Sequence, residues 1–292
     1  MTPHWRVIDL IDHAGEIESR RGGLVISGVA VPLDDVSCII TGLGTRWHGG
    51  VVALASKYGV PIVACDWRGV PISVLMPWST NTRVAARQYA QAAMTLPRKK
   101  NAWMRIVRSK IIGQAANLAH QPKAKAQLAE HARAVRSGDP DNREARAART
   151  YWSNLFPGET FTRDADAPGR NALLNYGYAI IRGVVVRSIV TAGLSPTLGI
   201  WHHNRSNVFG LADDLIEPFR PAIDFVVAAL PADASVLDRE AKHVIVGALE
   251  QPMTGSGSTV ATSINQLAQQ FAHYTENEVP VLVVPVWTPP RG

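Results

Sequence analysis

The sequence is poor in cysteine, with only Cys38 and Cys65 among its 292 residues. Two cysteines are too few for a disulfide framework, so we expect both to be buried as small apolar side chains in a reducing compartment. The chain also lacks a run of about 20 apolar residues, so we expect no transmembrane helix. Its first residues, MTPHWRVIDL, lack the basic stretch and apolar core of a secretory signal. These absences favour a cytoplasmic protein.

Positive charge, by contrast, is concentrated in one segment. Residues 98–150 contain 13 Lys or Arg against 4 Asp or Glu, whereas the rest of the chain is net negative. Such a run is typical of a solvated helical face or of a surface for a polyanionic partner. Trp103 among the clustered bases favours nucleic acid, but both interpretations stay open at this point.

Two parts of different composition follow one another. Residues 1–79 contain short β-branched runs separated by Gly, Pro and Asp turns, with one helix-like insert at about 46–59. Ala-, Gln- and Arg-rich stretches with helical periodicity follow. The sequence therefore predicts an α+β protein. A small β-sandwich-like N-terminal domain (1–79) leads through a linker and first helix (80–97) to a larger all-α catalytic domain (98–292).

Helical periodicity divides the larger part into eight predicted helices. They are expected at about 83–96, 101–119, 122–136, 142–155, 169–192, 207–229, 235–249 and 258–275. Pro218 interrupts the sixth, so we expect that helix to kink or restart there. Near the C-terminus, the prolines of the apolar stretch VPVLVVPVW predict an edge strand or a docked tail.

One segment patterned for burial carries an unusual number of polar groups. Residues 193–221, GLSPTLGIWHHNRSNVFGLADDLIEPFRP, contain His202, His203, Asp213, Asp214 and Glu217. On a helix, Glu217 shares a face with either aspartate, and like charges at that spacing repel unless a cation lies between them. Carboxylates with an imidazole indicate Mg²⁺ or Mn²⁺. The alternative is a solvent-facing acidic turn paired with Arg205 and Arg220.

A second candidate cluster is DPDNREARAARTYW at 139–152. Asn142 or Asp141 is expected to cap a helix whose first turn holds Glu144. Three arginines surround this glutamate on the same helix: Arg143, Arg146 and Arg149. The pattern is compatible with a salt bridge or with a metal ligand inside a phosphate-binding surface, and spacing alone favours the salt bridge.

Together the two clusters resemble the CRISPR-associated integrase of spacer acquisition, the first and larger adaptation subunit, and more narrowly its type II branch. The resemblance rests on N-R-E-A-x-A-A-R-x-Y-W, G-L-S-P-x-L-G-I-W-H-H-N and L-A-D-D-L-I-E-P-F-R-P in that order, and covers nearly the whole chain. It implies a metal-dependent DNA endonuclease and integrase. Such an enzyme joins 3′-hydroxyl ends of captured foreign DNA, the prespacer, to the CRISPR repeat by transesterification.

The resemblance also implies roles for individual residues. Glu144, His202 and Glu217 match the catalytic positions that bind Mg²⁺ or Mn²⁺, with His203 as the alternative to His202. Asp214 and His203 are expected behind the ligands. His13 falls near a ring that stacks on the end of the captured duplex, although it is equally compatible with an exposed turn histidine. Further DNA contacts are expected from Arg98, Lys99, Lys100, Arg105, Arg108, Lys110, Arg143, Arg146, Arg149, Arg205 and Arg220.

The implied partners are double-stranded DNA, as prespacer and as leader and repeat, and further protein subunits. Family members form homodimers through the β domain, and a dimer of the small adaptation subunit bridges two of them into a hetero-hexamer. Whether the RNA-guided effector nuclease joins is left open, and no membrane partner is expected. Two other functions stay open: a non-catalytic, basic helical scaffold that binds nucleic acid, and a stand-alone repair nuclease for branched DNA.

Overall fold

A computed structural model describes residues 6–34, 36–67, 71–75, 81–202, 204–236, 238–253 and 257–290. In these residues every strand lies before residue 76, and all α-helices except one lie after residue 83. The predicted α+β class, with a small β part followed by a larger helical part, is therefore confirmed.

Two four-stranded sheets form the N-terminal part. Their strands are β1 (Arg6–Leu10), β2 (Gly15–Arg20), β3 (Gly23–Ile26), β4 (Val29–Pro32), β5 (Val36–Thr41), β6 (Thr45–Trp47), β7 (Ile62–Cys65) and β8 (Pro71–Leu75). The first sheet has the order β1-β5-β7-β8 and is parallel except for β8. The second has the order β4-β3-β2-β6 and is antiparallel except for β6. Gly22, with φ of 92°, makes the turn between β2 and β3.

Strand β5 serves two hydrophobic cores at once. Ile39 points into the core between the two sheets, which the helix α1 (Gly49–Lys57) completes. Cys38 and Ile40 point the other way, into the core of the helical part. All six residues of β5 are buried, which explains why its sequence, VSCIIT, contains no charged residue, since the strand is covered on both faces.

Both cysteines are buried and free, as expected. Burial is the main cause that raises the pKa of the Cys38 thiol, and likewise that of Cys65, to about 12. Protonated thiols in an apolar core are unreactive, so the two side chains serve packing.

The helical part contains nine α-helices among the described residues. They are α2 (Val84–Ala92), α3 (Leu96–Asn117), α4 (Pro122–Ala134), α5 (Arg143–Leu155), α6 (Arg170–Thr191), α7 (Gly210–Leu215), α8 (Arg220–Ala229), α9 (Arg239–Gly247) and α10 (Val260–Thr275). The predicted single helix at 207–229 is divided into α7, a 3₁₀ turn and α8. The division falls at Pro218, inside the turn Glu217–Phe219. Helix α3 begins five residues earlier than predicted, because its proline lies in the first turn, where no hydrogen bond is lost.

Helix α6 is the central helix of the larger core. Its length and mean hydropathy of 1.3 would suffice to cross a membrane, but 78% of its apolar window is buried inside the protein. Arg187 on this helix donates to the carbonyl oxygens of Gly59 (2.8 Å) and Val36 (3.1 Å). These bonds fasten the β domain to the helical part. Because most of its apolar window is buried, we interpret α6 as a core helix.

The C-terminal stretch is a docked tail, and no strand is assigned to residues 279–287. Leu282 and Trp287 are fully buried in the helical core. Trp287 Nε1 donates a hydrogen bond of 2.8 Å to Asn117 Oδ1 near the end of α3. The tail therefore closes the core beside the helix that carries the most concentrated basic charge.

Replacing Trp287 by alanine should lower the free energy of unfolding by about 3–5 kcal/mol, because it removes a fully buried indole and leaves a cavity. Urea-induced unfolding measures the change. The matched control is Val283→Ala in the same tail, where the side chain is 64% exposed. Equal unfolding midpoints for the two variants would contradict the docked tail.

Candidate active site

Glu144 and Glu217 lie on separate elements and meet at one lysine. Glu144 is in the first turn of α5, and Glu217 opens the 3₁₀ turn between α7 and α8. Lys110, on α3, places Nζ 2.6 Å from Glu144 Oε1 and 2.5 Å from Glu217 Oε2. Burial alone would lower the pKa of Lys110, but the two carboxylates raise it above its ordinary value. The lysine is therefore a buried ammonium ion between two buried or half-buried carboxylates.

Glu217 has a second cationic neighbour. Arg220 Nε lies 3.2 Å from Glu217 Oε1, and its guanidinium lies over the Tyr178 ring, 4.6 Å from the centroid. Burial opposes ionisation of Glu217, but Arg220 and Lys110 together lower its pKa below the ordinary value. The pairing with Arg220 in the alternative interpretation is thus present, but the turn is not solvent-facing, because Glu217 and Asp214 are buried.

The start of α5 is held by an aspartate that the sequence analysis did not select. Asp139 Oδ1 accepts from the backbone N–H of Arg143 (2.8 Å), and Oδ2 accepts from that of Glu144 (3.0 Å). The predicted capping role of Asn142 or Asp141 is therefore wrong. Asn142 has a left-handed backbone (φ 51°) and makes no capping bond, whereas the usual cap needs an extended one. Asp141 pairs with Arg136 instead.

His202 is oriented by Asp214. Its Nδ1 lies 2.7 Å from Asp214 Oδ1, which leaves Nε2 as the ring nitrogen available to a ligand. Asp214 is fully buried and also accepts backbone N–H bonds from Ile200 (2.6 Å), Trp201 (3.1 Å) and His202 (3.2 Å). The hydrogen bond to Asp214 is the largest cause that raises the pKa of His202, and partial burial opposes it. Asp214 thus lies behind the histidine, where it was expected.

Asp213 makes its direct contacts with other partners. It pairs with Arg182 and accepts a 2.8 Å bond from Asn207 Nδ2. Helical spacing predicted that Glu217 shares a face with either aspartate. Because α7 ends at Leu215, Glu217 is not on the same helix as the two aspartates, and each aspartate has its own partners.

Two tryptophans support the histidine loop. The rings of Trp103 and Trp201 stack with centroids 5.5 Å apart and an angle of 7° between planes, and His202 meets Trp103 edge-on at 5.6 Å. Trp103 is fully buried. It is therefore a packing residue, and its use as a sign of nucleic-acid contact was wrong.

A buried polar network lies beneath the carboxylates. Asp224, fully buried on α8, accepts hydrogen bonds from Tyr151 on α5 and Tyr178 on α6. Burial raises its pKa to about 6, although the tyrosine hydroxyls oppose this. Asn117 donates to Tyr151 Oη (2.9 Å) and to the carbonyl of Pro221 (2.8 Å). The network fixes α3, α5, α6 and α8 behind the site, and no sequence pattern indicates it.

The basic residues expected at DNA are in different environments. The most exposed ones are Lys100, Arg146, Arg149 and Arg205, and the half-buried ones include Lys99 and Arg143. Three others are engaged within the protein. Arg98 donates to the Tyr274 carbonyl, Arg105 to Asn101, and Arg108 to the Val135 carbonyl. Lys110, also expected at DNA, faces the two glutamates instead, since a count of basic residues does not reveal what each one contacts.

Two further histidine assignments concern His13 and His203. His13, between β1 and β2, is half-buried and lines a cleft of about 490 Å³ with Asp12, Lys242 and His243. It therefore faces the helical part and is not an isolated histidine on an exposed turn. His203 lies outside the described residues.

Across the described ranges, no three His, Cys, Asp or Glu side chains are close enough to form a ready metal cluster. Instead of a metal ion, the side chains of Lys110 and Arg220 neutralise the charges of the glutamates. Glu144 and Glu217 nevertheless meet at Lys110, and the charge of Glu217 contributes to the raised pKa of His202.

Comparison with known proteins identifies the family. The family model described as CRISPR associated protein Cas1 matches residues 16–241. A CRISPR-associated endonuclease Cas1 from Neisseria meningitidis serogroup C is 37% identical over 233 residues, which cover 77% of this chain and 76% of that protein. The chain belongs to the Cas1 family. Glu144, His202 and Glu217 all lie inside the matched region.

Solved structures show the same fold at low identity. The Cas1-containing chain of a Cas6-RT-Cas1–Cas2 complex matches 99% of this chain with a TM-score of 0.78 and 16% identity, and the match covers 36% of that longer chain. A casposase bound to integration product matches 94% of this chain and 91% of its own, with a TM-score of 0.75 and 19% identity. The Cas1 fold therefore extends over nearly the whole chain.

Asp214→Asn should lower the pKa of His202 toward the ordinary value of 6.5, because the hydrogen bond to a carboxylate is the largest cause that raises it. The wild-type pair contributes stability that is fully present below pH 6.5 and is lost as the pH rises through the folded pKa. NMR titration of the His202 ring in EDTA measures the shift. Asp213→Asn is the matched control and should move the pKa less. An unchanged pKa in Asp214→Asn would rule out this pairing.

Proposed function

We propose that this chain is a metal-dependent DNA endonuclease and integrase of CRISPR adaptation. It joins the 3′-hydroxyl ends of a captured prespacer to the CRISPR repeat by transesterification, and hydrolyses DNA when water takes the place of the hydroxyl. One observation carries the proposal: Glu144 and Glu217, on separate elements, both lie within 2.6 Å of one cationic nitrogen, beside an oriented histidine. Membership of the Cas1 family supports it.

The residues fit a divalent metal. The Lys110 ammonium lies 2.6 Å from Glu144 Oε1 and 2.5 Å from Glu217 Oε2, so these two oxygens already converge on one cationic group and could coordinate a metal ion. Two carboxylates and one imidazole suit Mn²⁺ well and Mg²⁺ adequately. Glu144, Glu217 and His202 would hold the ion, with His203 as the alternative imidazole.

When bound, such an ion stabilises charge on the phosphate oxygens and lowers the pKa of the attacking hydroxyl or water. The chain supplies orientation. Asp214 holds His202 in one tautomer with Nε2 directed away from Asp214, and Asp139 holds the first turn of α5, from which Glu144 projects. Arg220 keeps Glu217 ionised.

Arginines near Glu144 are proposed to contact the phosphates of the DNA backbone. Arg143 directly precedes Glu144 on α5, and Arg146 and Arg149, which are exposed, follow it. Contacts from such side chains to phosphates carry no sequence information, which suits a protein that accepts foreign DNA of any sequence. We assign the same role to Arg205 and Lys100.

The proposed assembly follows from the family resemblance. We propose a type II enzyme, in line with the match to the Neisseria relative, and a location in the cytoplasm. It forms homodimers through the β domain, and a dimer of the small adaptation subunit joins two of them. The Cas1–Cas2 complex among the structural matches supports a Cas2-type partner. The RNA-guided effector nuclease is a further proposed partner.

Glu144→Gln, Glu217→Gln and His202→Ala should each reduce strand transfer by at least about 100-fold, since even residues behind metal ligands are worth 10- to 100-fold. The assay uses a fluorescent branched DNA that mimics a half-integrated spacer, with Mn²⁺ or with EDTA. Glu159→Gln is the matched control, because Glu159 pairs with Arg170 away from the site. It should retain wild-type activity, and EDTA should abolish the reaction.

The same assay separates the alternatives. All variants should still bind the branched DNA, because the basic surface is unchanged. Tight binding by the wild type without reaction in Mg²⁺ or Mn²⁺ would favour the non-catalytic scaffold. Cleavage without strand transfer, even with the small adaptation subunit added, would favour the stand-alone repair nuclease.

A further inference from the structure

Lys110 occupies a place that a metal would need. Its Nζ contacts one oxygen of Glu144 and one of Glu217, at 2.6 Å and 2.5 Å. Its side chain is only 11% exposed, so water screens these contacts little. A cation bridging the same two oxygens would lie at almost the same point as the ammonium group. The two cannot occupy that point together.

The charges of the two glutamates themselves are already balanced by cations in contact with them. Lys110 and Arg220 contribute two positive charges against the two carboxylates. A divalent ion added to this group would leave a large positive excess in a buried place, which is costly. One of the two basic side chains therefore has to withdraw when the ion binds.

Lys110 is the side chain that can withdraw. Arg220 is held by stacking over Tyr178, and Asp224 attracts it from below. Beyond the two glutamates, the described residues give the Lys110 ammonium no further hydrogen bond or ion pair. A lysine ammonium also sits on a flexible four-carbon stem, whereas a stacked guanidinium is fixed in a plane.

We propose that Lys110 acts as a resident counter-ion, which holds Glu144 and Glu217 together in the metal-free protein and leaves this position when a divalent cation binds. Lys110 thereby sets the metal affinity of the site. This inference rests on the proposed function, since it requires the two glutamates to be metal ligands. It assigns Lys110 a positioning role in place of the contact to DNA expected from its position in the basic segment.

The test is Mn²⁺ binding by the full chain, measured by isothermal titration calorimetry on wild type, Lys110→Met and Lys110→Arg. Lys110→Met should bind Mn²⁺ at least about tenfold more tightly, because a competing charge in direct contact with both ligands is gone. Lys110→Arg keeps the charge and should stay close to wild type. Lys123→Met, at an exposed lysine on α4, is the matched control and should not change affinity.

Lys110→Met leaves two carboxylates without their shared partner, so its metal-free form should melt at a lower temperature than wild type. If it is unfolded without metal, the Mn²⁺ concentration at its folding midpoint gives the affinity. Equal or weaker Mn²⁺ binding by Lys110→Met, with binding still abolished by Glu144→Gln, would overturn the inference and leave the proposed function standing. If wild type and Lys110→Met bind no Mn²⁺ that depends on Glu144, the proposed function fails and the inference fails with it.

Discussion

Two carboxylates held close together away from water require positive charge between them, and the helical domain is arranged around this requirement. Isolated, Glu144 and Glu217 would repel each other and resist ionisation. Lys110 reaches both from α3, and Arg220 reaches Glu217 from the start of α8. Three elements that are far apart in the sequence therefore meet at the two glutamates, and their packing forms a candidate metal site.

Three buried aspartates support this arrangement without facing it. Asp139 accepts the backbone N–H groups at the start of α5, and Asp214 accepts those of the histidine loop. Asp224 joins Tyr151 and Tyr178 beneath the glutamates. Each carboxylate is satisfied by donors of the protein itself, which makes it a structural anchor and leaves the glutamates and His202 to face a ligand.

Local pattern was sufficient to predict much of this fold. Helical periodicity located the long helices within a few residues, and Pro218 correctly marked the break before α8. Short strands were harder to predict, because β4 and β6 contain only four and three residues. Such short segments show no periodic pattern of apolar residues, and their pairing depends on the neighbouring strands.

The site was predictable only in part, for a related reason. Motifs indicated Glu144, His202 and Glu217, but Lys110 lies 34 residues before Glu144 in sequence, and only packing reveals their contact. The same holds for Arg98 and Arg108, whose guanidiniums bind backbone carbonyls across the fold. Asp139 was not predicted as the cap of α5, because the sequence does not show that Asn142 has a left-handed backbone and leaves the capping role to Asp139. Partners distant in sequence cannot be assigned from spacing.

The central claim is that the place now held by the Lys110 ammonium is a divalent-cation site. A crystal structure with Mn²⁺, with data collected at the manganese absorption edge, tests it most directly. The account predicts one strong anomalous peak at about 2.2 Å from carboxylate oxygens of both Glu144 and Glu217 and from the His202 ring, with the Lys110 ammonium moved away. A Lys110 ammonium that stays between the two glutamates, with no anomalous peak beside them, would contradict the account.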